Sequence, residues 1–385
     1  MTSPGASTNN QNPPPRVISA LAYPRDPKYY FPDGSGVFLV EGILFKIQAT
    51  LIFGPRPVPP TRQPEASSPV YLEDIIPRLL NSNDSSPIEI PGIRASQFRD
   101  YFLILLGRPY DDDYLKLVTS SRNPDKYTKG LCIRYLDIAT LARCFGMTKL
   151  EEWVIDALHS IFTRSIGALT RIASENWDSS TVLRLRAFTK DTKLNLPVLT
   201  FIQYLISNSS KDPAVYAMLG DRINELPCVG LYQNFKASDA ESVLFGCAFL
   251  NILSLGHRSQ VWAKCLTRDD RALLYAAQAQ LVNVSAELDL DLGWISAPDS
   301  TISRQFCDRC KTMIPEKWEK GFGECNKALG SGLPLKDVSL LAQLPLHRHS
   351  CSQQPACYIA LLDAVDANIK QVFTKMASKH REIVE

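Results

Sequence analysis

Gly36-Val37-Phe38-Leu39-Val40-Glu41-Gly42-Ile43-Leu44-Phe45-Lys46-Ile47 decides how the first part of the chain is read. The run from Gly36 to Val40 is rich in β-formers and follows the turn signal Pro32-Asp33-Gly34. Glu41-Gly42 is a tight reversal, and Leu44 to Gln48 alternates again, so the stretch predicts a β-hairpin. Upstream, residues 1–23 are rich in Pro, Asn, Ser and Thr and lack periodicity, which predicts a disordered tail with order beginning near Tyr29.

Downstream, Ala49 to Phe53 reads as a short apolar turn and Gly54 to Pro69 as a Pro-rich surface loop. Tyr71 to Leu80 has helical spacing. Pro87-Ile88-Glu89-Ile90-Pro91 reads as a short strand whose prolines confine it to an edge or terminal position. Ala95 to Leu106 places Phe98, Phe102 and Leu105 on one helical face. The polar stretch Pro109 to Lys129, with Asp111-Asp112-Asp113, reads as a solvated loop rather than a cation site. Tyr135, Ile138, Leu141, Ala142 and Phe145 then form a helical stripe stopped by Gly146. Thr148-Lys149-Leu150-Glu151 matches a capping box opening a helix with Leu150, Val154, Ala157 and Ile161.

Hairpin, helix, short strand, helix and helix pair follow one another in the order of a BTB/POZ domain. Asp33 to Ile47 looks like that family's opening hairpin, Pro87 to Ile93 like its third strand, and Ala95-Ser96-Gln97-Phe98 like the start of the following helix. Tyr135 to Gly146 resembles the penultimate helix and its glycine stop. Asp26-Pro27-Lys28-Tyr29-Tyr30-Phe31 is similar to the lead-in of BTB proteins found in large numbers in fungi. The resemblance spans about residues 26–163. The family usually has an acidic residue where this chain has Gly36 and a His where it has Gln48, positions that help shape its dimer-forming surface. The resemblance implies protein–protein interaction, through homo-oligomerisation or recruitment of a larger complex such as a cullin-type ubiquitin ligase.

Beyond Ser165 the patterns are helical. Val198, Phe201, Ile202, Leu205 and Ile206 make one stripe, and Leu273, Leu274, Ala277 and Leu281 another. Ser238-Asp239-Ala240-Glu241 reads as a second capping box, with Gly256 closing its helix. Ala297-Pro298-Asp299-Ser300 reads as a linker, and the chain finishes on an amphipathic helix carrying Tyr358, Leu362, Val365, Ile369, Val372, Phe373 and Met376. The expected organisation is α+β: a tail (1–23), a BTB/POZ-like domain of small sheet and helices (24–163), a helical region (164–299) and a Cys-rich helical module (300–385).

The chain has 385 residues, 45% hydrophobic and 21% charged, an ordinary globular composition with room for two or three domains. Its 42 basic and 40 acidic side chains leave a formal charge of +2, which argues against nucleic acid or an anionic membrane as partner. No export signal, spanning segment or lipidation motif is visible, so the expectation is an intracellular protein, cytoplasmic or nuclear.

No nucleophile elbow, phosphate loop or zinc-protease motif occurs, so no catalytic residue is assigned and a non-enzyme is expected. His159 reads as a core or boundary residue, with Asp156 one turn earlier. Arg184, Arg186, Lys190 and Lys193 read as a mild, solvated basic cluster. Cys132, Cys144, Cys228, Cys247 and Cys265 read as small core residues. Cys307-Asp308-Arg309-Cys310 has the spacing that turns two thiolates toward one tetrahedral ion. With Cys351 and Cys357, and His347 or His349 as substitutes, it could hold a structural zinc; Cys325 lies between, and buried or free thiols are the alternative. The leading expectation is a protein-interaction adaptor or scaffold, with a ubiquitin-ligase or regulatory complex as the assembly the resemblance implies. The alternative is a zinc-containing nucleic-acid-binding or transcription regulator.

Overall fold

The computed structural model describes residues 23–53, 75, 78–79, 81–209, 225–236, 241–280, 308 and 356–384. The architecture is α+β, a four-stranded sheet followed by helices. By contact density the chain divides into two units, Met1–Leu105 with Cys144–Met147, and Leu106–Arg143 with Thr148–Glu385.

The first unit holds β1 (Arg25–Tyr30), β2 (Gly36–Val40), β3 (Ile43–Ile47), β4 (Ile88–Glu89) and α1 (Ala95–Leu106), in sheet order β1-β3-β2-β4. The expected hairpin is β2–β3, antiparallel with Val40 opposite Ile43. Its two loop residues, Glu41 and Gly42, have φ of 49° and 75°, as the twist-matched two-residue turn requires. All five residues of β2 are buried, which is why it reads as a continuous apolar run rather than an alternating one. On one side Phe38 and Phe45 meet α1 through Phe98, with the Phe45 and Phe98 rings 5.1 Å apart and nearly perpendicular. Phe102 packs on Phe98 at 4.4 Å and on Tyr29 at 5.3 Å. Phe145, from the four-residue segment Cys144–Met147, adds its ring to Phe53, Tyr101 and Phe98. The buried Tyr101 hydroxyl donates to the Ile52 carbonyl at 2.8 Å.

β1 departs from the sequence reading, which had order beginning near Tyr29. It pairs parallel with β3 at Arg25 and Tyr30, with an irregular register between. Pro27 lacks a donor, and the buried Asp26 carboxylate instead accepts from the Lys28 and Tyr29 amides at 3.0 and 2.8 Å. It also accepts from Arg99 Nε on α1 at 2.7 Å.

The second unit is helical: α2 (Asp112–Ser120), α3 (Lys129–Cys144, whose last residue belongs to the first unit), α4 (Thr148–Thr163), α5 (Ile166–Ala173), α6 (Ser179–Thr189), α7 (Asn195–Ser209), α8 (Pro227–Phe235), α9 (Ser242–Leu255), α10 (Gln260–Cys265), α11 (Arg268–Gln280) and α12 (Ala356–Val384). The stripes expected on α3 and α7 are buried, and so is that on α4 except for the half-buried Leu150. Gly146 and Gly256 follow α3 and α9 with positive φ, as stop residues do. α9 is the centre: every residue from Leu244 to Leu253 is buried, with α7, α8 and α12 packed around it. The crossing of α9 and α12 is close, since a Cβ on Gly246 would stand 1.8 Å from the Phe373 carbonyl oxygen.

Two expectations are corrected. Residues 109–129 are not a loop throughout, because Asp111 accepts from the amides of Asp113 and Tyr114 and so caps α2, while Asp112 and Asp113 suit the positive end of the helix. The capping box expected at 238–241 does not open α9, which begins at Ser242 with Glu241 as an N-cap that makes no side-chain cap bond. The Pro-rich loop 54–69, the linker 297–300 and all of the tail but Tyr23 lie outside the described residues, as does most of the helix expected at 71–80.

Candidate interaction groove

At the hairpin tip the first unit carries a concavity of about 600 Å³, lined by Tyr23, Leu39, Glu41, Glu89, Ile90 and Arg94 with the neighbouring turn residues. Leu39 and Ile90 contribute apolar atoms and are nearly buried, whereas Glu41, Glu89 and Arg94 are exposed. One side is braced by Glu41. A left-handed backbone is unusual for glutamate, which has a Cβ and no short side chain to bond its own turn. Here its Oε2 accepts from the Ala95 amide, the first residue of α1, at 3.0 Å. Gln97 Oε1 accepts from the Arg94 amide at 2.7 Å, the half of a capping box that reaches back. The hairpin thus lends α1 the cap its own sequence lacks. The Arg94 and Ala95 amides are both taken by the chain's own side chains.

β4 borders the groove and ends the sheet; among the described residues no strand pairs with its other side. The Ile90 amide donates to Leu39 oxygen at 3.0 Å, so Ile90 turns its amide toward β2 and Glu89 turns its amide outward. Pro87 and Pro91 share the parity of Glu89 and carry no N–H. Between 87 and 91 the open edge therefore offers a single donor, which blunts it against strand addition. A partner here would be held through side chains rather than through an extended ladder.

The basic residues singled out in the sequence are each engaged by a carboxylate. Arg184 meets the buried Asp137 at 2.7 Å, and Lys193 pairs with Asp156. Arg186 is buried, not solvated as expected; its Nε lies 3.1 Å from both oxygens of the buried Glu241, and Nη1 donates to Asn195 Oδ1 at 2.6 Å. Lys190 approaches the same Glu241 at 3.9 Å. Glu241 sits at the start of α9 and Arg186 on α6, so this cluster ties two helices rather than presenting charge to phosphate. His159 is half-buried, its pKa lowered by burial, with Thr163 Oγ1 3.4 Å from Nδ1. Cys132, Cys228 and Cys247 are buried thiols as expected, whereas Cys144 and Cys265 are half-buried. Burial raises the first three, Cys228 to about 12, so they are poor thiolates.

Of the candidate zinc ligands, Cys307, Cys310 and Cys351, with His347, His349 and Cys325, lie outside the described residues, and Cys357 is described only as backbone of α12. Among the described residues no group of three metal-ligating side chains gathers.

Three polar centres escaped the sequence reading: the Glu41 cap, the Arg186–Glu241 pair and the Thr267–Asp270 box. The first two join residues more than 50 positions apart and carry no local signal. The third does: Thr267-Arg268-Asp269-Asp270 has capping-box spacing, and both reciprocal bonds form at 3.1 Å, opening α11. Comparison of the chain with protein-family models, with curated proteins and with solved structures gives no match.

Proposed function

We propose that this chain is a protein-interaction adaptor in which residues 24–163 are of BTB/POZ type and the hairpin-tip groove docks partners. The observation that carries the reading is the groove itself: a concavity of about 600 Å³ lined by both apolar and charged residues, with a hairpin tip tied to α1 by Glu41. Interfaces combine an apolar anchor with a polar rim in this way, and pre-set backbone lowers the ordering cost of binding. The ordered series of hairpin, edge strand, α1 and the α3–α4 pair supports the family reading. Homo-oligomerisation and recruitment to a cullin-type scaffold are the two assemblies it implies. The alternative, a zinc-containing nucleic-acid regulator, draws no support from the basic side chains of α6 and the segment after it, which are paired with carboxylates.

Affinity capture with the full chain, compared with Glu89→Lys and Ile93→Asp variants, tests the proposal. The variants should weaken capture of specific partners at least tenfold while the far-ultraviolet circular dichroism is unchanged. Equal recovery by wild type and both variants would remove the groove from the docking role, and turnover of a metabolite by the purified chain would remove the adaptor reading.

A further inference from the structure

His380 lies near the end of α12 and is 4% exposed. Its imidazole stands edge-on to three rings: Phe245 and Phe249 of α9, at centroid distances of 4.7 and 5.0 Å, and Tyr232 of α8 at 6.0 Å. Neither ring nitrogen has a hydrogen-bond partner among the described residues. A buried polar group without a partner is destabilising, and a leucine or phenylalanine would fill the same space without that penalty.

The cage suits a neutral ring. An imidazole N–H can point at an aromatic face, a weak contact that needs no charge. The charged groups around it oppose one another. From α11, Asp270 favours a proton, yet its carboxylate already accepts from Tyr232 Oη at 3.0 Å, Lys236 Nζ at 3.1 Å and Thr267 Oγ1 at 2.7 Å. Lys236, just past α8, and Arg381, on α12 itself, disfavour one. α9 contributes the two phenyl rings. Cation–π attraction would favour a charge between three rings, but stripping water from an unpaired ion opposes it more strongly. Burial therefore dominates and lowers the imidazole pKa to about 4 from its ordinary 6.5.

We propose that His380 is an acid-operated release for the last helix: a proton on the imidazole undocks the C-terminal half of α12 from α8 and α9 and uncovers the apolar surface of α9. The folded chain prefers the neutral ring, so this contribution to docking is complete above pH 6.5 and is lost as the pH falls toward about 4. The crossing at Gly246 and Phe373 leaves little room for α12 to slide and accommodate a charge, so separation is the available response.

Two measurements on the full chain test this. Exchange of the imidazole C2 hydrogen, followed by mass spectrometry on the unmodified protein, reads the titration of His380 directly; a midpoint below 5 is expected, and one at or above 6.5 overturns the proposal. Amide exchange of residues 356–384, corrected for its intrinsic pH dependence, should accelerate roughly 30-fold between pH 7.5 and 5.0 and should change little in His380→Leu. Equal acceleration in that variant would show that another group opens α12 and would also overturn the proposal. The first measurement needs no substitution, and together with the amide exchange of the unmodified chain it can overturn the proposal even if the variant does not fold.

Discussion

The sheet unit and the helical unit solve the same problem, how to place polar groups inside, in different ways. In the sheet unit polar side chains serve backbone amides, the buried Asp26 and Gln97 and the exposed Glu41 alike. Asp26 completes the irregular strand β1, Glu41 caps α1 from the hairpin, and Gln97 closes the same helix end from within. Each stands in for a missing main-chain partner. In the helical unit several inward polar groups serve side chains instead, Arg186 with Glu241 and Asp137 with Arg184, and among the described residues His380 faces three rings without a hydrogen-bond partner. Replacing one partner of a backbone cap exposes an amide near a helix end, where water can reach it. Replacing one partner of a buried ion pair leaves a full charge without a counter-charge. The lesson is that equal counts of buried polar groups do not mean equal sensitivity to substitution.

That contrast can be broken by a graded set of substitutions. Glu241→Ala leaves the buried Arg186 without its carboxylate and should destabilise the helical unit by about 3–5 kcal/mol, read by chemical denaturation. The double variant Arg186→Met, Glu241→Leu should recover most of the loss, and failure to recover would mean that the pair itself, rather than the stranded charge, holds α6 to α9. Gly246→Ala forces a methyl against the Phe373 carbonyl and should cost about 3 kcal/mol, seen as a lower melting temperature with α12 exchanging faster. Thr267→Ala removes one half of the α11 capping box, for about 1 kcal/mol. In the sheet unit, Glu41→Asn should change stability by less than about 1 kcal/mol, since the lost cap is partly offset by a residue that accepts positive φ more readily. A large loss there would erase the contrast.

Acid sharpens the same comparison. Below the range of His380, carboxylates of both units respond: Asp84 of the sheet unit, held below its ordinary value by the bonds from Tyr30 and Arg25, and Asp178 and Asp270 of the helical unit. Burial alone would raise Asp178, but bonds from Ser180 and Thr181 and the nearby Lys129 hold it well below the ordinary carboxylate value. Burial likewise opposes Asp270, and bonds from Thr267, Lys236 and Tyr232 outweigh it. All three carboxylates are more acidic in the folded chain, so the stability they confer is present above pH 4 and lost below it. Amide exchange in α6 and α11 should rise below that pH.

Elements with strong periodicity were legible in the sequence. α1 has the bounds that its Phe98 and Phe102 spacing predicted, the α3 stripe was visible in the same way, and α9 was read from its stop at Gly256. The edge position of β4 followed from two prolines. What escaped notice depends on partners distant in sequence. β1 has a proline and alternating charges, and it forms because Asp26 substitutes for ladder bonds and because β3 lies alongside. The acidic run at 111–113 looks like loop composition, and only the helix after it reveals a cap. The groove was half legible: the hairpin and the edge strand were read, whereas the bond from Glu41 to Ala95 spans 54 positions and leaves no local trace. Sequence order draws a module over 24–163, whereas contact density draws a line at Leu105.

That line is crossed more than once, because the polypeptide leaves the first unit at Leu105 and returns for Cys144–Met147 before leaving again. A fragment stopped at Leu105 would lack the ring of Phe145, and Phe53, Phe98 and Tyr101 would face a void the size of a phenyl group. No single cut in the backbone can separate the halves cleanly. A protease nick between 106 and 143 would leave both pieces still sharing a core, so the clipped protein should migrate as one particle until it is denatured.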